Sequence, residues 1–415
     1  MMFALVDGTA FYCSCEKQFA VHLRNKPVVV ASNNDGVIVA VCPIARKLGL
    51  KKFAPIFQQA ELIKKTGTTV FSSNYELYGA ISGRMHDTLA GMCDRQFRYS
   101  IDESFLLFDR NQECWLDFGR YIRRALWDNL RIPTGVGFGQ TLTLAKVANH
   151  AAKRLPGFRG VCVVSDANRE QILSQMSAQD VWGIGSRLAA RLKLYNVNSA
   201  LDLARQSPDE MQRVFNVNVA RTVKELNGIP SLFFDDVRPD KKQIFSTRTF
   251  GQRVCDIDEL STALATHAFS VTKKARRQKS MIVQLMMFAT AGSFDTRNTK
   301  SAVITFPSPT DCYTQVAEAV KSKVNELFDH RLLYMKCGVG AIELAPASHF
   351  QNDLFAPRIK RGLSDVVDVI NSRYGSAITI GSAITSNNDD WQMRRQMLSP
   401  AYLTSWSALP VIQCK

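Results

Sequence analysis

Three acidic residues lie where strand patterns end and could together bind metal ions. Asp7 follows the apolar run FALV, and Asp102 and Glu103 interrupt the apolar and aromatic stretch YSIDESFLLF. Carboxylates that converge raise one another's pKa values unless cations lie between them. Mg²⁺ prefers oxygen ligands, and two ions about 3.5–4 Å apart can assist phosphoryl transfer. Taken alone, the Asp102-Glu103 dipeptide favours the alternative of a polar turn between two strands.

Basic residues supply a second feature with possible chemistry. Lys146, Asn149 and Lys153 recur at i, i+3 and i+7 in a helical pattern, on a different face from its apolar stripe. A solvated helix face explains these lysines equally well. The whole chain has 52 Lys and Arg against 37 Asp and Glu, a net charge of +15. This excess favours a polyanionic partner such as nucleic acid.

Two further stretches are candidates for contact with DNA phosphates. The turn VWGIGSRLAARL contains Gly183 and Gly185, whose backbone N–H groups could approach a phosphate, and Arg187 follows it. This resembles a helix-hairpin-helix motif, which binds the DNA backbone, although a simple tight turn remains the alternative. The later stretch VTKKARRQKS predicts salt-dependent contact with duplex phosphates. Its candidate residues are Lys273, Lys274, Arg276 and Arg277.

Strand and helix patterns alternate over the first 165 residues, which predicts an α/β domain. The predicted strands are 3–6, 28–32, 37–41, 69–72, 97–101, 104–108, 135–138 and 160–164, and the predicted helices are 77–89, 115–130 and 143–154. Residues 166–230 are helical in pattern, with glycine breaks. We therefore expect a helical region to follow the α/β domain.

After a basic linker, the order β-α-β-β-α-β predicts a ferredoxin-like split unit. Its predicted elements are strand 244–250, helix 259–278, strands 281–288 and 302–306, helix 313–327 and strand 332–344. An amphipathic stretch, 363–371, follows in the C-terminal region. The full prediction is thus an α/β (α+β) chain of several domains.

The composition indicates a protein of the cytoplasm. No apolar run reaches about 18 residues, so we expect no membrane span. The N-terminus has no basic region before its apolar run, which is unlike a signal peptide. The ten cysteines are irregularly spaced and form no pattern typical of a zinc site. We therefore expect free thiols in a reducing compartment.

In combination these stretches resemble the Y-family translesion DNA polymerases. The resemblance extends over nearly the whole chain and implies error-prone, template-directed DNA synthesis in the bacterial SOS response. It also implies two Mg²⁺ ions, dNTP substrates and no proofreading. The stretches that carry it are FALVDGTAFYCSCE, VVASNNDG, FSSNYELY, YSIDESF, GVGFGQTLTLAKVANHAAK, VWGIG, STRTFG and MRRQMLSPAY.

The resemblance implies a right-handed polymerase fold. Its parts would be a palm, small fingers, a helical thumb with the helix-hairpin-helix, and a ferredoxin-like little finger. The implied boundaries are palm 1–18 and 78–165, fingers 19–77, thumb 166–235, linker 236–242, little finger 243–347, clamp-binding loop 348–361 and C-terminal region 362–415.

The resemblance also assigns the metal ligands. Asp7, Asp102 and Glu103 take the metal-binding positions, together with the backbone carbonyl of Gly8. These three carboxylates are also the implied catalytic residues. Phosphoryl transfer depends mostly on positioning and on neutralisation of charge, which this set would supply.

The nucleotide would be bound by four further residues. Phe11 and Tyr12 follow the first acid, and Tyr12 takes the position where an aromatic ring blocks a ribose 2′-OH. Arg46 and Lys153 match the cations that contact the triphosphate. The sequence departs from the family pattern at Val41, Pro43 and Leu142, and also at Gly8-Thr9 and Phe53-Ala54.

A short peptide after the predicted little finger suggests a protein partner. In FQNDLFAP, the residues Gln351, Leu354 and Phe355 fit the Q-x-x-L-F pattern of sliding-clamp binding, with Asn352 in place of the usual Leu. A loop anchored on its own domain is the alternative. The other implied partners are primer–template DNA, a processed UmuD-like dimer and RecA.

Two functions of other classes use the same features. A catalytically weak regulator could bind DNA and the clamp without synthesis, and a metal-dependent nuclease could use the same carboxylates. Tyr12, Arg46 and Lys153 favour nucleotide addition over hydrolysis, because they suit a nucleoside triphosphate.

Overall fold

In the computed structural model the chain consists of two units, one inserted into the sequence of the other. The first unit comprises Met1–Val237 and Arg395–Lys415, and the second comprises Arg238–Arg394. The residues predicted as a single C-terminal region are thus divided between the units. The structure describes residues 1–109, 112–233, 240–292, 297–349, 362–374, 377–378, 381, 394–403 and 405–408.

The strands of the first unit form two sheets. The larger sheet has the order β5-β6-β1-β7-β8, in which β1 is antiparallel to both neighbours and β7 is parallel to β8. The smaller sheet has the order β3-β2-β4. These strands are β1 (Met2–Gly8), β2 (Val28–Ala31), β3 (Ile38–Val41), β4 (Thr69–Ser72), β5 (Arg95–Arg98), β6 (Glu103–Phe108), β7 (Thr134–Gly139) and β8 (Val161–Val163).

The helices of the first unit pack around these sheets and then continue into a helical region. An apolar core that includes Leu173, Leu192 and Leu226 joins that region to residues of α6 such as Val147. The boundaries drawn between palm, fingers and thumb stay predictions. The helices are α1 (Phe11–Phe19), α2 (Pro43–Lys47), α3 (Ile56–Thr66), α4 (Tyr75–Ala90), α5 (Trp115–Leu130), α6 (Leu142–Arg154), α7 (Arg169–Ser174), α8 (Ser186–Lys193), α9 (Ala200–Ala204), α10 (Pro208–Val214) and α11 (Val217–Leu226).

Strand β1 is buried on both faces of the larger sheet. Ala4 and Val6 belong to the main core of the unit, whereas Phe3 and Leu5 pack with residues of β6 and α6 on the other face. This alternation follows from the period of two in a strand. Asp7 continues the face of Phe3 and Leu5, so its carboxylate is directed to the side on which α6 lies.

The second unit has the predicted order of elements. Its antiparallel sheet runs β11-β10-β12-β9, so that β12 separates the two strands of the first β-α-β unit. Two helices cover the sheet, and a third follows. The elements are β9 (Ile244–Val254), α12 (Ile257–Arg277), β10 (Ser280–Gly292), β11 (Arg297–Thr310), α13 (Tyr313–Leu327), β12 (Tyr334–Pro346) and α14 (Gly362–Tyr374).

Candidate active site

A tight turn between β5 and β6 presents two of the three predicted acids. β5 ends at Arg98, earlier than the sequence predicted. The Ser100 hydroxyl donates to the Asp102 carboxylate at 2.7 Å and accepts from the backbone N–H of Glu103 at 3.0 Å. The stretch therefore does form a polar turn, as the simpler reading of the dipeptide proposed, and the same turn fixes both carboxylates.

Strand pairing brings the third acid to this turn. Asp7 lies directly opposite Glu103 in the antiparallel register of β1 and β6. The backbone N–H of Gly8 donates to the carbonyl of Asp102 at 2.9 Å. The strand ends thus place all three predicted acids beside one another, and Glu103 shares the sheet face of Phe105 and Asp7.

Helix α6 approaches this sheet closely because β7 is rich in glycine. A Cβ atom on Gly137 would lie 2.0 Å from the backbone nitrogen of Asn149, a distance that no side chain could occupy. The buried Asn149 amide donates to the carbonyls of Leu5, at 3.0 Å, and Gly135, at 2.8 Å. Asn149 therefore fixes α6 to both β1 and β7.

The two lysines of α6 pair with the two acids of the neighbouring strands. Lys153 Nζ lies 2.6 Å from Asp7 Oδ1, and Lys146 Nζ lies 2.9 Å from Glu103 Oε1. The solvated-face explanation of these lysines is therefore wrong. Sequence reasoning noted the shared face, but it did not assign Lys146 a role.

Aromatic rings surround the ammonium group of Lys146. Its Nζ lies 4.4 Å from the ring centroid of Tyr99 and 5.4 Å from that of Trp182. The Trp182 indole N–H donates to the Tyr99 hydroxyl at 3.2 Å. Cation–π attraction of this kind holds a positive charge in place, so Lys146 is fixed beside Glu103. Trp182 is a second residue of the site that the sequence did not single out.

Burial raises the pKa of Asp7 to about 6. The ion pair and hydrogen bond with Lys153 oppose that rise, whereas the nearby charges of Glu103 and Asp102 add to it. Desolvation is thus the main cause, and a carboxylate with this pKa gains from any further cation placed beside it.

The donor set fits hard cations. Oxygen ligands from Asp7, Asp102 and Glu103 at adjacent strand ends suit Mg²⁺. Among the described residues, no three His, Cys, Asp or Glu side chains are already gathered as a finished metal site. In this arrangement the ammonium groups of Lys153 and Lys146 lie against the oxygens of Asp7 and Glu103 that a metal would need.

A cleft of about 660 Å³ opens over these ion pairs. Arg46, which is exposed on α2, lines it together with Pro43. Two other departures from the family pattern, Val41 and Leu142, are buried in the core and do not line the cleft. The cationic and acidic residues that line the cleft are Asp7, Arg46, Glu103, Arg123, Lys146, Lys153, Arg154 and Asp180.

Tyr12 belongs to a group of three aromatic rings. Its ring stacks on that of Tyr78, with centroids 4.4 Å apart and planes 13° apart, and Tyr75 contacts it edge-on at 6.3 Å. The Phe11 ring, in contrast, is only 3 % exposed and packs against Gly8. A role for Phe11 in nucleotide binding is therefore restricted to its backbone.

The predicted helix-hairpin-helix is shorter than expected on its first side. The segment before the turn is a single 3₁₀ turn, Ala178–Asp180, and α8 begins at Ser186. Gly183 has φ +89°, a conformation that favours glycine. Gly183, Gly185 and Arg187 are exposed, so contact with a phosphate stays a prediction that the geometry permits.

One predicted DNA-binding residue is engaged elsewhere. Arg276 Nε donates to Asp368 Oδ2 at 2.8 Å, Nη1 donates to the carbonyl of Asp311 at 2.6 Å, and its side chain is 8 % exposed. The prediction that Arg276 contacts DNA is therefore wrong, because it joins α12 to α14. Lys274 donates to the Phe245 carbonyl at 3.1 Å, and burial lowers its pKa. Lys273 and Arg277 retain exposed side-chain surface.

Three further predictions concern the clamp-binding peptide, membrane-spanning helices and the cysteines. The clamp-binding residues Gln351, Leu354 and Phe355 lie outside the described residues. In the part of the chain that the structure describes, no helix is long and apolar enough to cross a membrane. Each cysteine in that part is a free thiol.

Comparison with known protein families divides the chain into three matched regions. Residues 6–150 match the impB/mucB/samB family, and residues 241–354 match the C-terminal domain of that family. Residues 361–412 match a domain of unknown function (DUF4113).

Curated relatives match along nearly the whole chain. Protein UmuC of Salmonella typhimurium is 36 % identical over 98 % of this chain and 99 % of the relative. Protein ImpB of Salmonella typhimurium is 34 % identical over 99 % of both chains. DNA polymerase IV of Bacillus velezensis is 25 % identical over 92 % of this chain and 93 % of its own length.

Solved structures share the fold at low sequence identity. A Y-family DNA polymerase chimera, Dbh-Dpo4(243-245)-Dbh, matches with a TM-score of 0.66 and 19 % identity, over 82 % of this chain and 98 % of the other. The insertion ternary complex of Dbh DNA polymerase matches with a TM-score of 0.54 and 20 % identity, over 83 % of this chain and all of the other. Together with the relatives above, these matches show that the chain belongs to the impB/mucB/samB family and has the fold of the Y-family DNA polymerases.

Proposed function

We propose that this chain is a template-directed DNA polymerase that copies damaged DNA in the bacterial SOS response, without proofreading. One observation carries the proposal: two acids at adjacent strand ends, each paired with a lysine of α6, lie in a cleft that Arg46 also lines. Relatives at 25 % identity are named DNA polymerase IV, which supports the same reading. The proposed site of action is the cytoplasm.

Two Mg²⁺ ions would be held by Asp7, Asp102, Glu103 and the Gly8 carbonyl. When bound, the ions neutralise phosphate charge and orient the attacking and leaving oxygens. Lys153 would then move from the Asp7 carboxylate to phosphate oxygens, which its flexible side chain can reach, whereas Lys146 would stay beside Glu103 among the rings of Tyr99 and Trp182. Lys153 and Arg46 would bind the triphosphate of the dNTP.

Tyr12 would exclude ribonucleotides. Its ring is stacked on the buried Tyr78, and this contact restricts its movement. Tyr12→Ala should raise the incorporation of ribonucleotides relative to deoxyribonucleotides, because the smaller side chain leaves room for a 2′-OH. Unchanged sugar selectivity would show that Tyr12 has another role.

Primer extension with Mg²⁺ on undamaged and lesion-bearing templates tests the proposal. The assay compares the wild type with an Asp102→Ala/Glu103→Ala variant and with Glu61→Gln, an exposed acid of α3 outside the cleft, as the matched control. We expect extension by the wild type and the control alone. If all three proteins extend the primer equally, with a processed UmuD-like dimer and RecA present, the proposal that this chain is a polymerase is wrong.

The same assay separates the competing functions. A nuclease would shorten the primer in a carboxylate-dependent way when dNTPs are withheld. A DNA- and clamp-binding regulator would retain DNA affinity without extending any primer. The ordered lysine–carboxylate pairs favour synthesis over both, since they place cations where a triphosphate is expected.

The protein partners are part of the proposal. The dimer and RecA would support activity, and primer–template DNA would contact Gly183, Gly185, Arg187, Lys273, Lys274 and Arg277. The clamp would bind residues Gln351, Leu354 and Phe355. Leu354→Ala/Phe355→Ala should lower clamp-dependent extension and spare extension without the clamp. Equal losses in both assays would indicate a folding role for this peptide.

A further inference from the structure

A C-terminal segment of the first unit packs on the elements that carry Tyr12. We name residues 395–403 the C-terminal strap. They lie within the region matched as a domain of unknown function and belong to the first unit, although the preceding 157 residues belong to the second. The strap contacts the two helices that carry the aromatic group: α1, which carries Tyr12, and α4, which carries Tyr75 and Tyr78.

The strap first joins the smaller sheet. The carbonyl of Met397 accepts from the Ser72 N–H at 2.9 Å, and the Met397 N–H donates to the Ser72 hydroxyl at 2.9 Å. The Gln396 N–H donates to Asp35 Oδ2 at 3.0 Å. The strap therefore contacts the end of β4 and the connection between β2 and β3.

A buried serine then reaches the start of α4. Ser399 is 4 % exposed, and its hydroxyl accepts from the amide of Asn74 at 3.0 Å. Asn74 is the N-cap residue of α4, since its side-chain oxygen accepts from the Leu77 N–H at 3.1 Å. Ser399 thus orients the residue that caps this helix.

A buried acid joins the helix that carries Tyr12 to α4. Glu16 lies one turn after Tyr12 on α1 and is 1 % exposed. The Tyr78 hydroxyl donates to Glu16 Oε1 at 2.6 Å. Burial raises the pKa of Glu16, and the hydrogen bond from Tyr78 opposes that rise. Two buried polar pairs, Asn74–Ser399 and Glu16–Tyr78, therefore lie where the strap meets α1 and α4.

An aromatic stack anchors the end of the strap. The ring of Tyr402 lies 4.7 Å from that of Phe19, the last residue of α1, with planes 7° apart. Tyr402 and Leu403 also pack against the main core of the unit. The strap thus contacts both helices that set the Tyr12 ring, α4 at its N-cap residue and α1 at its last residue.

We infer that the C-terminal strap positions Tyr12 for sugar selection, with Ser399 and Tyr402 as its positioning residues. The inference rests on the proposed function, because it assigns Tyr12 a role in excluding the 2′-OH. A steric filter requires placement within a fraction of an ångström, and the strap fixes both the helix of Tyr12 and the ring against which Tyr12 stacks.

The test measures the ratio of kcat/KM for a dNTP to that for the matching rNTP, on one preparation of the full chain. This ratio does not depend on how much of the protein is active, so a loss of folded protein alone does not move it. Ser399→Ala removes the hydroxyl and leaves the Asn74 amide without that acceptor. We expect the ratio to fall by about tenfold.

Three further variants serve as controls. Tyr402→Ala should lower the ratio, whereas Tyr402→Phe retains the stack on Phe19 and should keep it at the wild-type value. Ser407→Ala removes an exposed hydroxyl that pairs with Ser405 beyond the strap, and it should change nothing. A ratio that stays unchanged in both Ser399→Ala and Tyr402→Ala overturns the inference.

Hydrogen–deuterium exchange provides a second measurement that does not require activity. Ser399→Ala should increase amide exchange in α1 and the first turns of α4, relative to Ser407→Ala. If the wild type extends no primer, the proposed function fails. Amide exchange then still tests whether the strap anchors α1 and α4. Unchanged exchange then overturns the strap as a positioning element, independently of the polymerase.

Discussion

Helices α6 and α12 both present basic residues at helical spacing, but the acids that neighbouring elements bring to them differ. On α6, Lys146 and Lys153 pair with strand-end acids in a cleft. On α12, the Arg276 guanidinium instead donates hydrogen bonds to Asp368 of α14 and to the backbone carbonyl of Asp311. Basic residues at helical spacing therefore do not by themselves identify a ligand-binding face, because another part of the fold sets the partner of each cation.

The largest expected effect comes from removing an acid beside α6. Asp7→Asn should reduce primer extension on the order of 10³-fold, since a lost metal ligand costs several kcal/mol of transition-state stabilisation. Single-turnover extension measures this, with Glu61→Gln as the control. Extension within tenfold of the wild type would show that the strand-end acids paired with α6 are not needed for catalysis, and the contrast with α12 would be lost.

The second effect concerns a cation of α6. Lys146→Met removes the partner of Glu103 but keeps the length of the side chain, and it should lower kcat/KM by about 10- to 100-fold. Lys193→Met, on the exposed end of α8, is the matched control. A loss of less than twofold would mean that the Lys146–Glu103 pair is only structural.

The pH dependence sharpens the role of the other α6 cation. Asp7 must be ionised to bind a metal, so extension should fall as the pH falls through about 6. Lys153 lowers the pKa of Asp7, and Lys153→Met should therefore move the acid limb of the pH profile to higher pH. The measurement is kcat/KM from pH 5 to 8. An unmoved limb would show that another group controls it.

The same pKa has a consequence for stability. A raised carboxyl pKa contributes stability that is complete below the unfolded value of 3.8 and is lost as the pH rises through about 6. Mg²⁺ should accordingly raise the Tm more at pH 8 than at pH 5, because the ionised form of Asp7 is the one that it stabilises. Thermal melts with and without Mg²⁺ check this, and equal shifts would contradict it.

On α12 the expected effect of Arg276 is on stability. Arg276→Met leaves the half-buried Asp368 without its partner and should lower the free energy of unfolding by about 2 kcal/mol. The dependence of DNA affinity on salt should not change, since the Arg276 guanidinium is engaged by Asp368 and by the Asp311 carbonyl. Chemical denaturation and binding titrations measure the two quantities. A changed salt dependence of DNA affinity with an unchanged free energy of unfolding would indicate that Arg276 contacts DNA after all.

The smallest effect belongs to the neighbouring exposed cation. Arg277→Gln should reduce the slope of log affinity against log salt by about 0.9, the value for one phosphate contact. The free energy of unfolding should stay within about 0.5 kcal/mol of the wild type. An unchanged slope would indicate that this face of α12 does not contact DNA.

Long, strongly patterned elements were predictable from the sequence. Helices α5 and α13 have the predicted bounds, because uninterrupted amphipathic patterns specify them. Helix α1 was not predicted. Its N-cap residue, Ala10, has a left-handed conformation and offers no side-chain cap, so the usual signal of a helix start is missing. Glu16, buried inside it, also interrupts the apolar pattern.

The strap illustrates a second limit. MRRQMLSPAY carried part of the family resemblance, yet its local pattern indicated no partner. Ser399 and Tyr402 acquire their meaning only from Asn74 and Phe19, which lie more than 300 residues earlier in the chain. Such contacts depend on how the chain returns to the first unit, and no local periodicity encodes that.

The sequence by itself determined that acids end the strands, that Lys146 and Lys153 share a helix face, and that glycines fill β7. Tertiary structure alone decided which cation meets which acid, because strand register sets Asp7 opposite Glu103 and the glycines let α6 approach them. It also paired Arg276, which the sequence predicted to contact DNA, with Asp368. The physical reason is the same in each case: spacing fixes the direction of a side chain, whereas packing fixes its partner.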